Sequence, residues 1–287
     1  MFRIDLSNLN FNINFEYVSV LILLISLIYM FVEKLVVMKR SKLFAFIIIL
    51  NIISTTFDIF RAYFANKVIE GTFEVEYFKI VNALQVSHML FLFIIIYSFS
   101  FYVINITCGS EYLRKKKLQL LLFIIPQLGV LIFTIANYFN PIMMNYTYDS
   151  THKFLETNLF AFLPVAIIEL GYLTLSIIYI FRFKESFDRK QILAIAFVPP
   201  IIAFGFIIVF IFPKYLIVPF MISMCVVIVQ TTFESSEDMI DENTNLYNVS
   251  EFVRVLKRLY INHDKKSILL FKIINYSELM NKTLDED

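Results

Sequence analysis

Charge is scarce in this sequence. Of 287 residues only 17% are Asp, Glu, Lys or Arg, against about 25% in ordinary soluble domains. A soluble chain of this length cannot clothe its surface with so little charge. The net charge is +1, which excludes a nucleic-acid binder. Two cysteines exclude a disulfide scaffold. Cys108 falls at the predicted inner edge of a span and Cys225 near mid-membrane, so neither meets an oxidising compartment. Three histidines, with no His-Glu-x-x-His, argue against an intramembrane metalloprotease. Five glycines leave no Gly-xxx-Gly packing motif in any span.

What is abundant is apolar: 59% hydrophobic residues, 33 of them Phe, and a mean hydropathy of +0.74. Roughly 20 apolar residues cross about 30 Å of hydrocarbon as a helix. Seven such runs are present, at 17–37, 43–64, 81–107, 118–137, 158–182, 191–212 and 214–233. The predicted fold is therefore an all-α polytopic membrane protein, a seven-helix bundle. Residues 1–16 are too polar for a signal peptide and form an extracytoplasmic segment ahead of the first span. Pro126, Pro164, Pro199 and Pro200 lie inside the fourth to sixth spans, and Pro219 opens the seventh. Neighbouring helices must recapture the carbonyls such prolines free.

Lys and Arg beside the spans set the expected orientation. One side carries Lys34, Lys39, Arg40, Lys42, Arg114, Lys115, Lys116, Lys117, Arg182, Lys184, Arg189 and Lys190. The other has Arg3, Arg61, Lys67, Lys79, Lys153 and Lys214, half as many. The N-terminus is then outside and the chain beyond Phe233 in the cytosol, with the protein in the inner (plasma) membrane. The lipid bilayer is the first partner implied.

Beyond the bundle, Asp241-Glu-Asn-Thr-Asn-Leu-Tyr-Asn248 followed by Phe252 resembles the opening of GGDEF diguanylate cyclase domains, Asp-x-Leu-Thr-Gly-Leu-x-Asn-Arg. Asp241, Thr244, Leu246 and Asn248 match; Asn243, Asn245 and Val249 depart. The resemblance implies a signalling-helix linker at 234–243 and a partial cytosolic α/β segment at 244–287. It also places Lys272 where the family has its metal aspartate, Ile274 at the second aspartate and Met280 at the guanine-reading Asn. No catalytic residue or metal ligand is therefore expected here. Phosphoryl transfer depends on metal and positioned charge, so the segment is predicted inactive and degenerate or truncated. Mg²⁺ and GTP enter only if a complete cyclase domain lies downstream. The bundle is similar to the seven-helix sensory modules that precede bacterial cyclases and histidine kinases.

Polar residues at membrane depth complete the reading, since each costs roughly 2.5–3.5 kcal/mol on insertion scales. Asp58 and Arg61 share a face of the second span, Gln85 and His88 a face of the third, and Glu169 lies in the fifth. Together they predict an outward-facing pocket for a small extracellular ligand. The rival reading makes Asp58 and Arg61 a purely structural pair. The outer loops 65–79 and 138–158, rich in Tyr and Asn, suit a lid over that pocket. Phe233 and Ile240, seven apart on a continuing helix, predict a coupling seam with a second copy of the chain. The expected function is a membrane signal-transduction sensor feeding a cyclic di-GMP-type output. A transporter subunit, or an anchor dimerising with a complete cyclase, is the alternative. A retinal protein is excluded, since 216–233 holds no lysine.

Overall fold

A computed structural model describes residues 2–5, 10–33, 35, 39–108, 117–140, 142–148, 153–184, 187–212 and 214–234, with positions 249, 252, 253 and 256 beyond them. Among the described residues, seven long α-helices run in sequence: α1 (Asn14–Val32), α2 (Lys39–Ile69), α3 (Phe78–Cys108), α4 (Lys117–Phe139), α5 (Leu159–Arg182), α6 (Arg189–Ile211) and α7 (Val218–Phe233). The first six are long and apolar enough to cross a membrane, and α7 is a shorter apolar helix. The protein is a multi-pass helical membrane protein. The GGDEF-like residues Asp241, Thr244, Leu246 and Asn248, together with Lys272, lie outside the described residues.

The helices are patterned for lipid. On α1 the buried face is Glu16, Ser19, Leu23, Ser26 and Met30, while Leu21, Leu24, Ile25 and Ile28 are exposed. Polar groups point inward because hydrocarbon offers them no partner. All four interior prolines fall inside α4, α5 and α6, and Pro219 sits in the first turn of α7, where a missing N–H costs nothing. The α3 helix is the most enclosed, packed on α2, α4 and α5.

First and last helices are neighbours. Ser19 Oγ donates to the Pro219 carbonyl oxygen (3.0 Å), and Gln230 Nε2 donates to that of Ser26 (2.8 Å). Partner numbers rise together along both helices, so α1 and α7 run parallel. Gly205 on α6 lets α7 approach closely: a Cβ there would lie 3.0 Å from Met221 Cγ.

The expected loop over 138–158 is instead a β-hairpin. Strands β1 (Phe2–Asp5), β2 (Met144–Tyr148) and β3 (Lys153–Thr157) form an antiparallel sheet ordered β1-β3-β2. Leu155 pairs with both Ile4 and Tyr146, and the buried Tyr146 and Leu155 pack with Ala62, Ala65 and Val68 of α2 and Phe78 and Val81 of α3. Period-two alternation over Met144, Tyr146 and Tyr148 gives the hairpin one apolar face to set on the helix ends. The described part of residues 1–16 is ordered against the bundle. Phe2–Asp5 is a strand, Phe11 is buried in the same cluster, and Asn14 already begins α1.

Candidate functional site

The sheet end of the bundle holds a closed cluster of charge. Asp58 and Arg61, one helical turn apart on α2, are 2% and 5% exposed. Arg61 Nε and Nη2 both lie 2.7 Å from Asp58 Oδ1. Arg61 Nη1 donates to the Tyr146 hydroxyl, and the guanidinium carbon sits 5.2 Å from the centre of the Phe11 ring. The cation is thus roofed by two aromatic residues from segments outside the helices.

Two asparagines hold that roof by reading backbone. Asn82 Oδ1 accepts from the Tyr146 N–H (2.8 Å) while its Nδ2 donates to the Tyr146 carbonyl (3.2 Å). Asn66 does the same for Phe11, at 2.8 and 2.9 Å. A primary amide with one donor edge and one acceptor edge fits an extended peptide, which explains Asn at both places. Burial holds the Tyr146 phenol above its ordinary pKa, with Arg61 pulling the other way.

Glu16, from the first turn of α1, completes the cluster. It is fully buried and interacts electrostatically with both Asp58 and Arg61. Among the described residues neither of its oxygens has a hydrogen-bond partner beyond the approach of its own backbone N–H. Two carboxyl groups therefore share one guanidinium, whose donors go to Asp58 and Tyr146.

His88 borders this group. Its Nδ1 lies 3.1 Å from both Ser54 Oγ and the Ser54 carbonyl oxygen, and it acts electrostatically on Asp58. Gln85, one turn away on α3, is also buried, at 7% exposure. Asp58, Arg61, Gln85 and His88 are thus at the same end of α2 and α3, as the sequence implies, but they are covered rather than lining an open pocket.

Glu169 belongs elsewhere. It is 4% exposed on α5 and faces Gln127 of α4 and Tyr172 of its own helix. Gln127 Nε2 donates to the Phe93 carbonyl (3.2 Å), leaving Gln127 Oε1 and both Glu169 oxygens without a donor among the described residues, although Gln127 approaches the carboxyl. The single five-residue pocket is therefore two separate polar sites. An open crevice of about 610 Å³ between α4 and α5, lined by Pro126, Gly171, Tyr172, Thr174 and aliphatic residues, runs beside the second. An apolar void beside Cys225 measures only about 20 Å³, and its lining offers a water no hydrogen-bond partner. Among the described residues no group of three or more His, Cys, Asp or Glu is placed to hold a metal ion.

The opposite end carries a polar knot that the sequence did not reveal. Glu234 is fully buried at the C-terminus of α7; its Oε2 accepts from Ser41 Oγ of α2 (2.5 Å) and its Oε1 from Tyr102 Oη of α3 (2.6 Å). This bears on the proposed seam. α7 ends at Phe233, and Glu234 leaves helical geometry at φ −114°, ψ 31°. Phe233 is itself buried in the core, 6.0 Å from the Phe187 ring, so it does not present a free face to a second chain. Ile240 lies outside the described residues.

No family model, curated protein or solved structure matches this chain.

Proposed function

We propose that this protein is a signal-transduction sensor of the inner membrane, with seven crossings, its N-terminus outside and its exit from α7 in the cytosol. One observation carries the reading: α2 joins the two buried polar centres. Near its end it bears Asp58 and Arg61 under the Phe11–Tyr146 roof, and at its start it bears Ser41, bonded to Glu234 where α7 ends. A single helix of 31 residues thus touches both the capped cluster and the exit of the bundle. A stimulus that shifts the roof changes the surroundings of Arg61, and a packed helix can carry that change to its other end.

The seven-crossing topology is supported by the parallel course of α1 and α7 and by the Lys and Arg bias. The output class rests on the GGDEF-like residues Asp241, Thr244, Leu246 and Asn248. Lys272 in place of a metal carboxylate argues against cyclisation by this segment and for relaying the signal to a partner. The cluster is closed, so the stimulus acts first on the roof.

The test is amide hydrogen exchange on the full chain in lipid nanodiscs. Asn82→Ala, which releases the Tyr146 backbone, is expected to speed exchange in the hairpin and also at 228–233 across the bundle. Faster exchange in the hairpin with none at 228–233 would remove the sensor reading.

A further inference from the structure

With every group ionised, the buried charge at the sheet end of the bundle does not sum to zero. Glu16 is fully buried, and Asp58 and Arg61 are nearly so. Asp58 Oδ1 accepts from two guanidinium nitrogens, and the third donates to the Tyr146 hydroxyl. Glu16 interacts electrostatically with both members of the pair. Its two oxygens nevertheless have no hydrogen-bond partner among the described residues beyond the approach of its own backbone N–H. Two carboxyl groups face one cation.

Three neighbouring groups could offset the second carboxylate, and none supplies a whole positive charge. A helix N-terminus carries about half an elementary charge on its free N–H groups. In α1 that share is already drawn on, since Asn14 N–H donates to Asn12 Oδ1 and Tyr17 N–H to the Ile13 carbonyl oxygen. The Tyr146 hydroxyl carries no positive charge and already receives Arg61. His88 of α3 acts electrostatically on Asp58, and its Nδ1 lies 3.1 Å from the Ser54 carbonyl oxygen. A neutral imidazole with its proton on Nδ1 satisfies that carbonyl, so His88 needs no charge where it sits.

One net negative charge held away from water is costly, and uptake of one positive charge removes the cost. A divalent ion would only reverse the sign, and among the described residues no three His, Cys, Asp or Glu are grouped to hold one. We propose that Glu16, with Asp58 and Arg61, forms a binding site for one monovalent cation, either a proton on the Glu16 carboxyl or a sodium ion beside it. Occupied, the cluster is neutral beneath Phe11 and Tyr146. That the sheet end faces outside, and that occupancy is the stimulus, rest on the sensor reading above; the binding itself does not.

The test is the unfolding temperature of the full chain in nanodiscs of uncharged lipid. In one series sodium chloride replaces choline chloride at about pH 8 and constant ionic strength. In the other, choline chloride alone is used from about pH 5 to about pH 8. Sodium binding is expected to raise the wild-type unfolding temperature by roughly 2–4 °C for each tenfold rise in sodium past half-saturation. Proton binding is expected instead to lower that temperature as pH rises, with no response to sodium. In either case Glu16→Gln, which leaves the cluster neutral without a guest, should lose the response. Equal responses of wild type and folded Glu16→Gln in both series would overturn the site. So would a response that survives Glu16→Gln and vanishes in His88→Gln, because the charge is then the imidazole's. If Glu16→Gln fails to fold, Asp58→Asn, which leaves one carboxyl to one guanidinium, is read by the same criterion. A wild type flat in both series overturns the site without any variant. The sensor reading fails separately: Asn82→Ala then leaves 228–233 unchanged while the wild type still binds its cation.

Discussion

Arg61 meets Asp58 through one carboxylate oxygen: Nε and Nη2 of the guanidinium both lie 2.7 Å from Oδ1. The remaining nitrogen, Nη1, is thereby turned toward Tyr146 and not back along the helix. The pair is at once a buried ion pair and the foot of the extramembrane roof.

Removing one partner should cost far more than removing both. Asp58→Asn leaves the buried guanidinium with Glu16 as its nearest carboxyl and is expected to destabilise the bundle by about 3–5 kcal/mol, whereas the joint change Asp58→Leu, Arg61→Met, Glu16→Gln should recover most of that loss. Thermal unfolding of the purified variants in one detergent provides the comparison. Exchanging the two residues is expected to rescue little, because Tyr146 and Phe11 then lose the cation they cover.

Alkaline stability should report on Tyr146. Burial keeps its proton on the native protein at pH values where the unfolded chain gives it up. The stability this contributes is whole below pH of about 10 and is lost as pH rises through the higher native value. Unfolding measured from pH 8 upward should therefore fall less steeply in Tyr146→Phe than in wild type. Parallel curves would show that the phenol does not titrate differently in the two states.

At Glu169 the chemistry calls for a donor. Among the described residues Gln127 Oε1 has no donor and the Glu169 carboxyl is approached by Gln127 alone, so Glu169→Gln, which brings an amide N–H, is expected to match wild-type stability to within about 1 kcal/mol. Glu169→Leu leaves Gln127 Oε1 facing hydrocarbon and should lower the unfolding temperature. A stable Leu variant together with an unstable Gln variant would contradict this arrangement.

Close packing of α6 on α7 gives a further check. Gly205→Val drives a side chain into Met221 near its backbone and is expected to cost about 1–3 kcal/mol. Gly129, which has open space around its Cβ position, should accept Ala far more easily.

Helix positions and the four interior prolines follow from hydropathy, and the Asp58–Arg61 pair from a three-residue spacing, all of which are local signals. What stayed hidden is joined across long stretches of chain. Arg61 and Tyr146 are 85 residues apart, Ser41 and Glu234 193, Tyr102 and Glu234 132. No periodicity marks such partners. Glu16 and Glu234 each sit where an apolar run stops, and an acid at such a boundary looks like the start of solvent, yet both are buried. The hairpin could have been found, because Met144, Tyr146 and Tyr148 alternate, but the surrounding Asn and Tyr read equally as loop.

Because α1 and α7 lie side by side, the first of the described helices is packed by the last of them to be made. Until α7 leaves the ribosome, Ser19 and the carbonyl of Ser26 have no partners from it, and Ser41 and Tyr102 have no carboxylate. A nascent chain halted before Val218 would hold its first helices in the membrane with their polar faces open to lipid or to an insertion factor. Among the described helices, the arrival of α7 is then what seats α1.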